Sequence, residues 1–469
     1  MSSKKINNVV GKDFILVIAL LFFNVVIQIF FISKFINKGI PYVILYNIGV
    51  GTIIWFYFRI KKIELYLVAI YLLPYIILSN LFHYAIKNEI IFNIPIFLLM
   101  FFVLLEFFRT TDFNILPKSR FLKILLSFLI YSLFSAIFGL GMGHSLGNVL
   151  IETFHIYYYA LVFVFLFLFK ERDDYFKIMQ VLLVVSVIIS LGYILMFALG
   201  AGTRFVTFQM NFLPFALSIL ITLFVIQRNK LAKFVFAVLF SIILLGTIVT
   251  LTRSLWVTVF VTIGTIILIH LKFYRGWKFW HMVTVALLIA IILGIGVSKL
   301  KPQKLTKETI DNVDYRAASI FNPSTDLSFL MRIELNYYAL IKFFHSPVLG
   351  TGIGDWVNYK VIPGNPQNQY YLDNSWLQIF WKQGIVGGLL FIYLYWLAIK
   401  NSFDVFKRGR DPRARMICLG LFAALIGVSL LSLLQPMLIK YKSNVILALL
   451  LAYIEFETSQ LPPKANQSG

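Results

Sequence analysis

Arg253 sits in the stretch IVTLTRSLW (248–256), with Thr252 and Ser254 on either side. Long apolar runs flank it, VFAVLFSIILLGTIVTL before and LWVTVFVTIGTIILIHL after. A Lys or Arg at the centre of a membrane helix costs roughly 2.5 to 3.5 kcal/mol on insertion scales. Water at a membrane face can offset that cost by letting the side chain snorkel, and so can an anion held by the arginine. A second polar pair lies in GNVLIETFHIYYYALVF, where Glu152 and His155 fall one turn apart near the end of an apolar run. A carboxylate there invites a functional role, with mutual pairing as the alternative. No His, Asp and Glu cluster has metal-ligand spacing. The single cysteine, Cys418, lies inside an apolar run and reads as packing.

These residues belong to a chain of 469 residues that is 60% hydrophobic and 13% charged, with a mean hydropathy of +0.86. No soluble domain buries that much apolar surface, so the expectation is an all-α polytopic membrane protein. The net charge of +22 would suit nucleic acid if it lined one face. Instead the Lys and Arg come in short clusters between apolar runs, which points to topology and to no nucleic acid.

A window of about 20 apolar residues gives spans near 14–33, 42–58, 65–82, 90–108, 121–141, 151–169, 178–199, 211–227, 231–251, 254–271, 281–299, 377–399, 416–434 and 440–455. That is 12 to 14 helices, allowing for short or ambiguous segments. The first is expected to be retained, because no small-residue cleavage site follows it. With a cytoplasmic N-terminus, 26 of the 42 Lys and Arg fall on the cytoplasmic side. Arg253 then lies at the outer face, on the same side as the one long loop. The expected organisation is membrane helices over 1–299, an extracytoplasmic loop over 300–376, and further membrane helices with a cytoplasmic tail over 377–469.

The loop opens on a polar stretch. Ile333, Tyr337, Leu340 and Phe344 then recur at spacings of 4, 3 and 4, the period of an amphipathic helix on the outer surface, beginning near Arg332. HSPVLGTGIGDW follows, with Pro347, Gly350, Gly352 and Gly354 allowing close backbone approach. Such a segment could shape a cavity floor.

Four elements occur in order: TLTRS (250–254), Arg332, SPVLGTGIGDW (346–356) and LDNSWLQIFWKQGIVGGLLF (372–391). Together with TRFVTFQMN (203–211), this order resembles the O-antigen ligase/polymerase superfamily over roughly 200–400. Asp373, before Asn374, stands where ligases of that family carry a histidine, which favours a polymerase.

The resemblance implies a metal-independent, inverting glycosyltransferase of the GT-C kind, without a cofactor, in the bacterial cytoplasmic membrane with its active site facing outward. The donor would be a glycan on undecaprenyl pyrophosphate, the acceptor another glycan or lipid-linked glycan, and a chain-length regulator or flippase a candidate partner. Arg253 and Arg332 would hold the pyrophosphate, since guanidinium offers planar paired donors, and would stabilise its developing charge. Asp373 would take the acceptor proton, and Asn374, Arg204, Thr252, Ser254 and Glu152 would contact substrate. Bland roles stand beside these. Arg253 could snorkel, Arg332 could be an ordinary charge on an exposed helix, and Arg204 could face solvent. Asp373 could cap the helix that follows, and Asn374 could end the loop. Asp355 is an alternative base, and Trp376, Phe380 and Trp381 are either sugar-stacking groups or an interfacial belt. A ligase acting on lipid A core is the second function, and a lipid-linked oligosaccharide flippase, with broken helices and mid-membrane charges, a third of another class.

Overall fold

A computed structural model describes residues 119–198, 212–250, 252–273, 327–359, 367–439 and 441–462. Its helices are α1 (Arg120–Gly141), α2 (Leu146–Tyr157), α3 (Leu161–Leu168), α4 (Arg172–Ala198), α5 (Leu213–Ile226), α6 (Lys230–Val249) and α7 (Arg253–Phe273). After these come α8 (Leu327–His345), α9 (Ser375–Arg408), α10 (Pro412–Leu431) and α11 (Tyr441–Ser459). Between α8 and α9 a short antiparallel ribbon pairs β1 (Val357–Tyr359) with β2 (Gln367–Gln369), in the register Val357↔Gln369 and Tyr359↔Gln367. The all-α, polytopic expectation holds: among the described residues six helices are long and apolar enough to cross a membrane. The expected spans at 14–33, 42–58, 65–82, 90–108 and 281–299 lie outside the described residues, as does the polar opening of the loop.

Helix starts follow local chemistry. Ser119, Ser145, Asn229 and Asp411 each accept a backbone N–H from the first turn they precede, which satisfies donors with no partner inside the helix. Pro412, directly after Asp411, occupies a position where its missing N–H costs nothing.

Two compact units divide the chain. In one, residues 166–185 include Phe169 and Tyr175, whose buried rings meet edge to face at 5.1 Å. The other unit, 112–165 with 186–469, is organised around α10, which packs against α5, α7 and α9. Small residues make those approaches close. A Cβ on Gly420 would stand 2.9 Å from the Ser218 carbonyl oxygen, and one on Gly427 would stand 2.4 Å from Thr262 Oγ1. Interfaces of this type suit membrane helices, where tight packing replaces the hydrophobic drive. Cys418 is fully buried in α10, and its carbonyl accepts from Ser402 Oγ.

The loop helix α8 starts at Leu327, five residues ahead of the expected start at Arg332. The run Ser324-Thr325-Asp326, all favoured cap types, precedes that start in the sequence. α8 turns Met331, Leu335 and Ala339 inward onto Val357, Leu372, Leu377 and Trp381.

Candidate functional site

The site is built on a break in α9. Gly384 adopts φ 65°, ψ −168° in the middle of the helix, a conformation that glycine reaches readily and L side chains rarely do. The break frees the carbonyls of Trp381, Lys382 and Gln383 from the helical ladder. In a membrane each such group needs a partner from protein. Thr351 N donates to Trp381 O at 3.0 Å, and Gly352 N to Lys382 O at 2.9 Å. Ser135 Oγ also donates to Lys382 O, and Tyr131 OH to Gln383 O. Ile385 N, on the far side of the break, donates to Pro347 O at 2.8 Å. The glycine-rich segment thus plugs the helix break, and its Ile353 lines a small cavity beside it. Its closeness requires glycine: at Gly352 (φ +88°) a Cβ would stand 2.5 Å from Gly139 Cα.

Two carboxylate–lysine pairs hold the plug. Lys342 Nζ, from α8, donates to both oxygens of Asp355 at 2.7 and 2.9 Å, and Trp381 Nε1 donates to the same carboxylate at 2.9 Å. Burial pushes the Asp355 carboxyl up, but hydrogen bonds from Lys342, Thr351 and the Trp356 N–H outweigh it, leaving the group below its ordinary value of 3.8. A carboxylate so saturated with donors is a poor base. Trp381, fully buried with its N–H engaged, is core rather than a sugar platform.

The second pair joins Lys382 Nζ to Glu152 Oε1 at 2.5 Å, with side chains only 3% and 4% exposed. Lys382 Nζ also donates to Tyr370 O, and Gly354 N to Glu152 Oε2. Glu152 therefore pairs with a lysine 230 residues later rather than with His155, whose carbonyl accepts from Asn444 Nδ2. Both side chains line a small cavity beside Gln378, Gln383, Tyr371 and Ile439, with room for about one water molecule. In this structure Glu152 belongs to the scaffold.

The more open part lies at the start of α9. Arg332 Nε donates to Asp373 Oδ2 at 2.5 Å, with side chains 30% and 42% exposed. The helix cap is Asn374, whose side chain accepts from Leu377 N at 3.0 Å. Capping by Asn374 releases Asp373 from that duty and turns it to Arg332. A polar relay brings a second helix start alongside. Gln435 Nε2 donates to Ser254 Oγ at 2.6 Å, in the first turn of α7, while Ser375 Oγ donates to Gln435 O and Ser375 N to Ser432 O. The backbone of Arg253, one residue before Ser254, is thereby tied through Gln435 to the residue two beyond Asp373. The Arg253 side chain and all of Arg204 lie outside the described residues. Thr252 Oγ1 donates to the Thr250 carbonyl, and Ser254 is engaged by Gln435.

Sequence reasoning named Arg332, Asp373, Asn374 and Ser254, which converge here. It missed Lys342, Lys382 and Gln435. Lys382 carried a signal: it stands inside the expected span 377–399, and an ionisable residue there is by default a site with a partner to be found.

Residues 237–392 match the family model described as O-antigen ligase. Over this segment the chain is similar to the O-antigen ligase family. It runs from within α6 into the second half of α9, and so contains the Arg253 helix start, Arg332, the plug and the Asp373–Asn374 pair. No curated protein matches the chain. The match points to a glycosyltransferase-like activity and, with the apolar helices, to a lipid-linked glycan at a membrane.

Proposed function

We propose that the protein is a metal-independent, inverting glycosyltransferase that moves a glycan from undecaprenyl pyrophosphate to a sugar hydroxyl at the outer face of the cytoplasmic membrane. We further propose that it acts as a surface polysaccharide polymerase. One observation carries this: Arg332 and Asp373 meet at the open end of α9, next to the helix start that bears Arg253. Asp373 in place of a histidine supports the polymerase over a strict ligase.

The Arg332–Asp373 pair is partly exposed, so it is worth about 0 to 1 kcal/mol. A pyrophosphate carries more charge than one carboxylate and accepts paired guanidinium donors, so it can draw Arg332 away. Asp373 is then free to accept a proton. The acceptor oxygen attacks the anomeric carbon, its proton passes to Asp373, and the bond from that carbon to the pyrophosphate oxygen breaks. Arg332 and Arg253 stabilise the charge left on the pyrophosphate, which departs with its lipid.

A flippase would use a broken helix and intramembrane charges, and α9 and the Glu152–Lys382 pair offer both. However, the freed carbonyls are taken up by Thr351, Gly352, Ser135 and Tyr131, and Glu152 and Lys382 close on each other. These features serve the scaffold.

The surface glycan of a deletion strain tests the function. Single repeats retained without long chains is the expected outcome. Loss of every repeat from the acceptor would make the protein a ligase, and an unchanged glycan would remove both. For the site, Arg332→Ala and Asp373→Asn are each expected to abolish product in purified, folded protein. Wild-type turnover by Asp373→Asn would move the base elsewhere.

A further inference from the structure

The apolar stripe of α8 faces away from the protein. Ile333, Tyr337, Leu340 and Phe344 are 50, 60, 39 and 71% exposed, while Met331, Leu335 and Ala339 turn inward onto the loop core. The exposed stripe does not stop at the helix end. Val348 and Leu349 extend it, and the carbonyl of the preceding Pro347 accepts from Ile385 N. That bond joins the stripe to α9 where the helix resumes after its break. From there Ile385, Val386 and Leu389 continue the exposed apolar surface along a membrane-crossing helix.

α9 is long and apolar enough to cross a membrane, so its exposed apolar surface suits lipid, and the Pro347–Ile385 bond joins the α8 stripe to it. Water would be a poor neighbour, since large apolar side chains left exposed forgo the free energy gained on leaving water. The chemistry at the edges suits a headgroup boundary. Tyr337 and Tyr338 stand side by side with ring centres 5.8 Å apart, Trp356 is partly exposed beside Lys342, and His345 is exposed at the helix end. Tyr and Trp favour that depth, and basic side chains at its edge reach toward anionic headgroups.

We infer that α8 is an interfacial helix whose Ile333, Tyr337, Leu340 and Phe344 face is embedded at the boundary between headgroups and acyl chains, in the leaflet on the loop's side. Arg332 follows this placement, because it adjoins the stripe. The Arg332–Asp373 pair is held at headgroup depth, where a phosphate carried by a lipid would lie. The embedding itself holds whether or not the protein transfers sugars.

The test uses the full chain in vesicles of phosphatidylethanolamine and phosphatidylglycerol, in a Cys418→Ala background. A polarity-sensitive fluorophore is attached at Tyr337→Cys or Phe344→Cys, with Leu389→Cys on α9 as the lipid-facing reference. Embedding predicts that shallow spin-labelled lipids quench 337 and 344 about as they quench 389, and that aqueous iodide quenches them little. Stronger quenching by iodide than by lipid would place the face in water and overturn the inference. Protection from both would place it under protein, with the same result. A labelled variant that is not monodisperse is replaced by Leu340→Cys on the same stripe.

Discussion

Removing the charge of Lys382 while leaving Glu152 in place should destabilise the protein more than removing both. Each side chain is almost fully buried, and each is the other's counter-ion. Breaking such a pair costs about 3 to 5 kcal/mol, because one charge is left buried alone. A second estimate agrees. In Lys382→Met, Glu152 must fold as the neutral acid, and at pH 7 protonating a carboxyl of ordinary value near 4.3 costs about 3.7 kcal/mol. The unit that holds both residues, 112–165 with 186–469, has about 340 residues. At roughly 2.1 cal/mol/K per residue its unfolding entropy is about 0.7 kcal/mol/K, so Lys382→Met should lower Tm by about 4 to 7 °C. In the double variant Lys382→Met/Glu152→Leu only Gly354 N and the Tyr370 carbonyl lose partners. Each unpaired buried group costs about 1 to 3 kcal/mol. The Tyr370 carbonyl is unpaired in both variants, so the double variant exchanges the lone charge for the unpaired Gly354 N–H alone, worth about 1.5 to 4 °C here. The single variant's deficit should also shrink as pH falls, by about 1.4 kcal/mol per unit. Thermal melts followed by tryptophan fluorescence, in one lipid and detergent mixture, measure all three variants. A Lys382→Met protein melting within about 1 °C of wild type, or a double variant melting below the single, would refute the buried-pair account.

Gly352→Ala places a Cβ against Gly139 Cα at a backbone φ of +88°, so strain and overpacking together should cost about 2 to 5 kcal/mol; a melt unchanged from wild type would show that the plug is looser than drawn. Asn374→Ala should cost about 0.5 to 2 kcal/mol through loss of the α9 cap, and Asn374→Asp should restore most of it. If the aspartate leaves thermal stability at the alanine level, the cap is not what Asn374 contributes. Asp355 is held below its ordinary value of 3.8, so its stabilisation is present above that value and is lost as pH falls through the lower, folded value. Hydrogen exchange over 346–356 should therefore accelerate, beyond the intrinsic rate change, over the interval in which pH falls below the ordinary carboxylate value. Asp355→Asn should abolish that pH dependence, and protection unchanged across the interval in the wild type would contradict the lysine clamp.

The membrane helices were legible because a long apolar run carries its own boundary signals. Arg120–Gly141, Lys230–Val249 and Pro412–Leu431 all fall within a few residues of the expected spans, and cap-type residues mark where each begins. The stripe on α8 was legible as a period, but which side it faced was not. Amphipathicity says only that two faces differ, and here the face with Ile333, Tyr337, Leu340 and Phe344 points outward while Met331, Leu335 and Ala339 turn inward. The break in α9 was hidden for another reason. Gly384 in WKQGIVGG reads like any small residue at a helix contact, and what stabilises its φ of 65° are donors from Tyr131, Ser135, Thr351 and Gly352, remote in sequence. Asp373 and Asn374 are both good caps, and local chemistry cannot rank them. Arg332, arriving from another helix, decides by claiming the aspartate.

That same dependence on remote partners bears on how the site is assembled. The family match ends at residue 392 and begins at 237, yet Glu152, which steadies Lys382, precedes it. Gln435, which ties the α7 start to the α9 start, follows it. The matched segment brings Arg332 to Asp373 and supplies the plug that fills the helix break. The helices on either side, outside that segment, hold those parts in register. A chain truncated to the matched segment would retain Arg253, Arg332 and Asp373 and lose the contacts that position them.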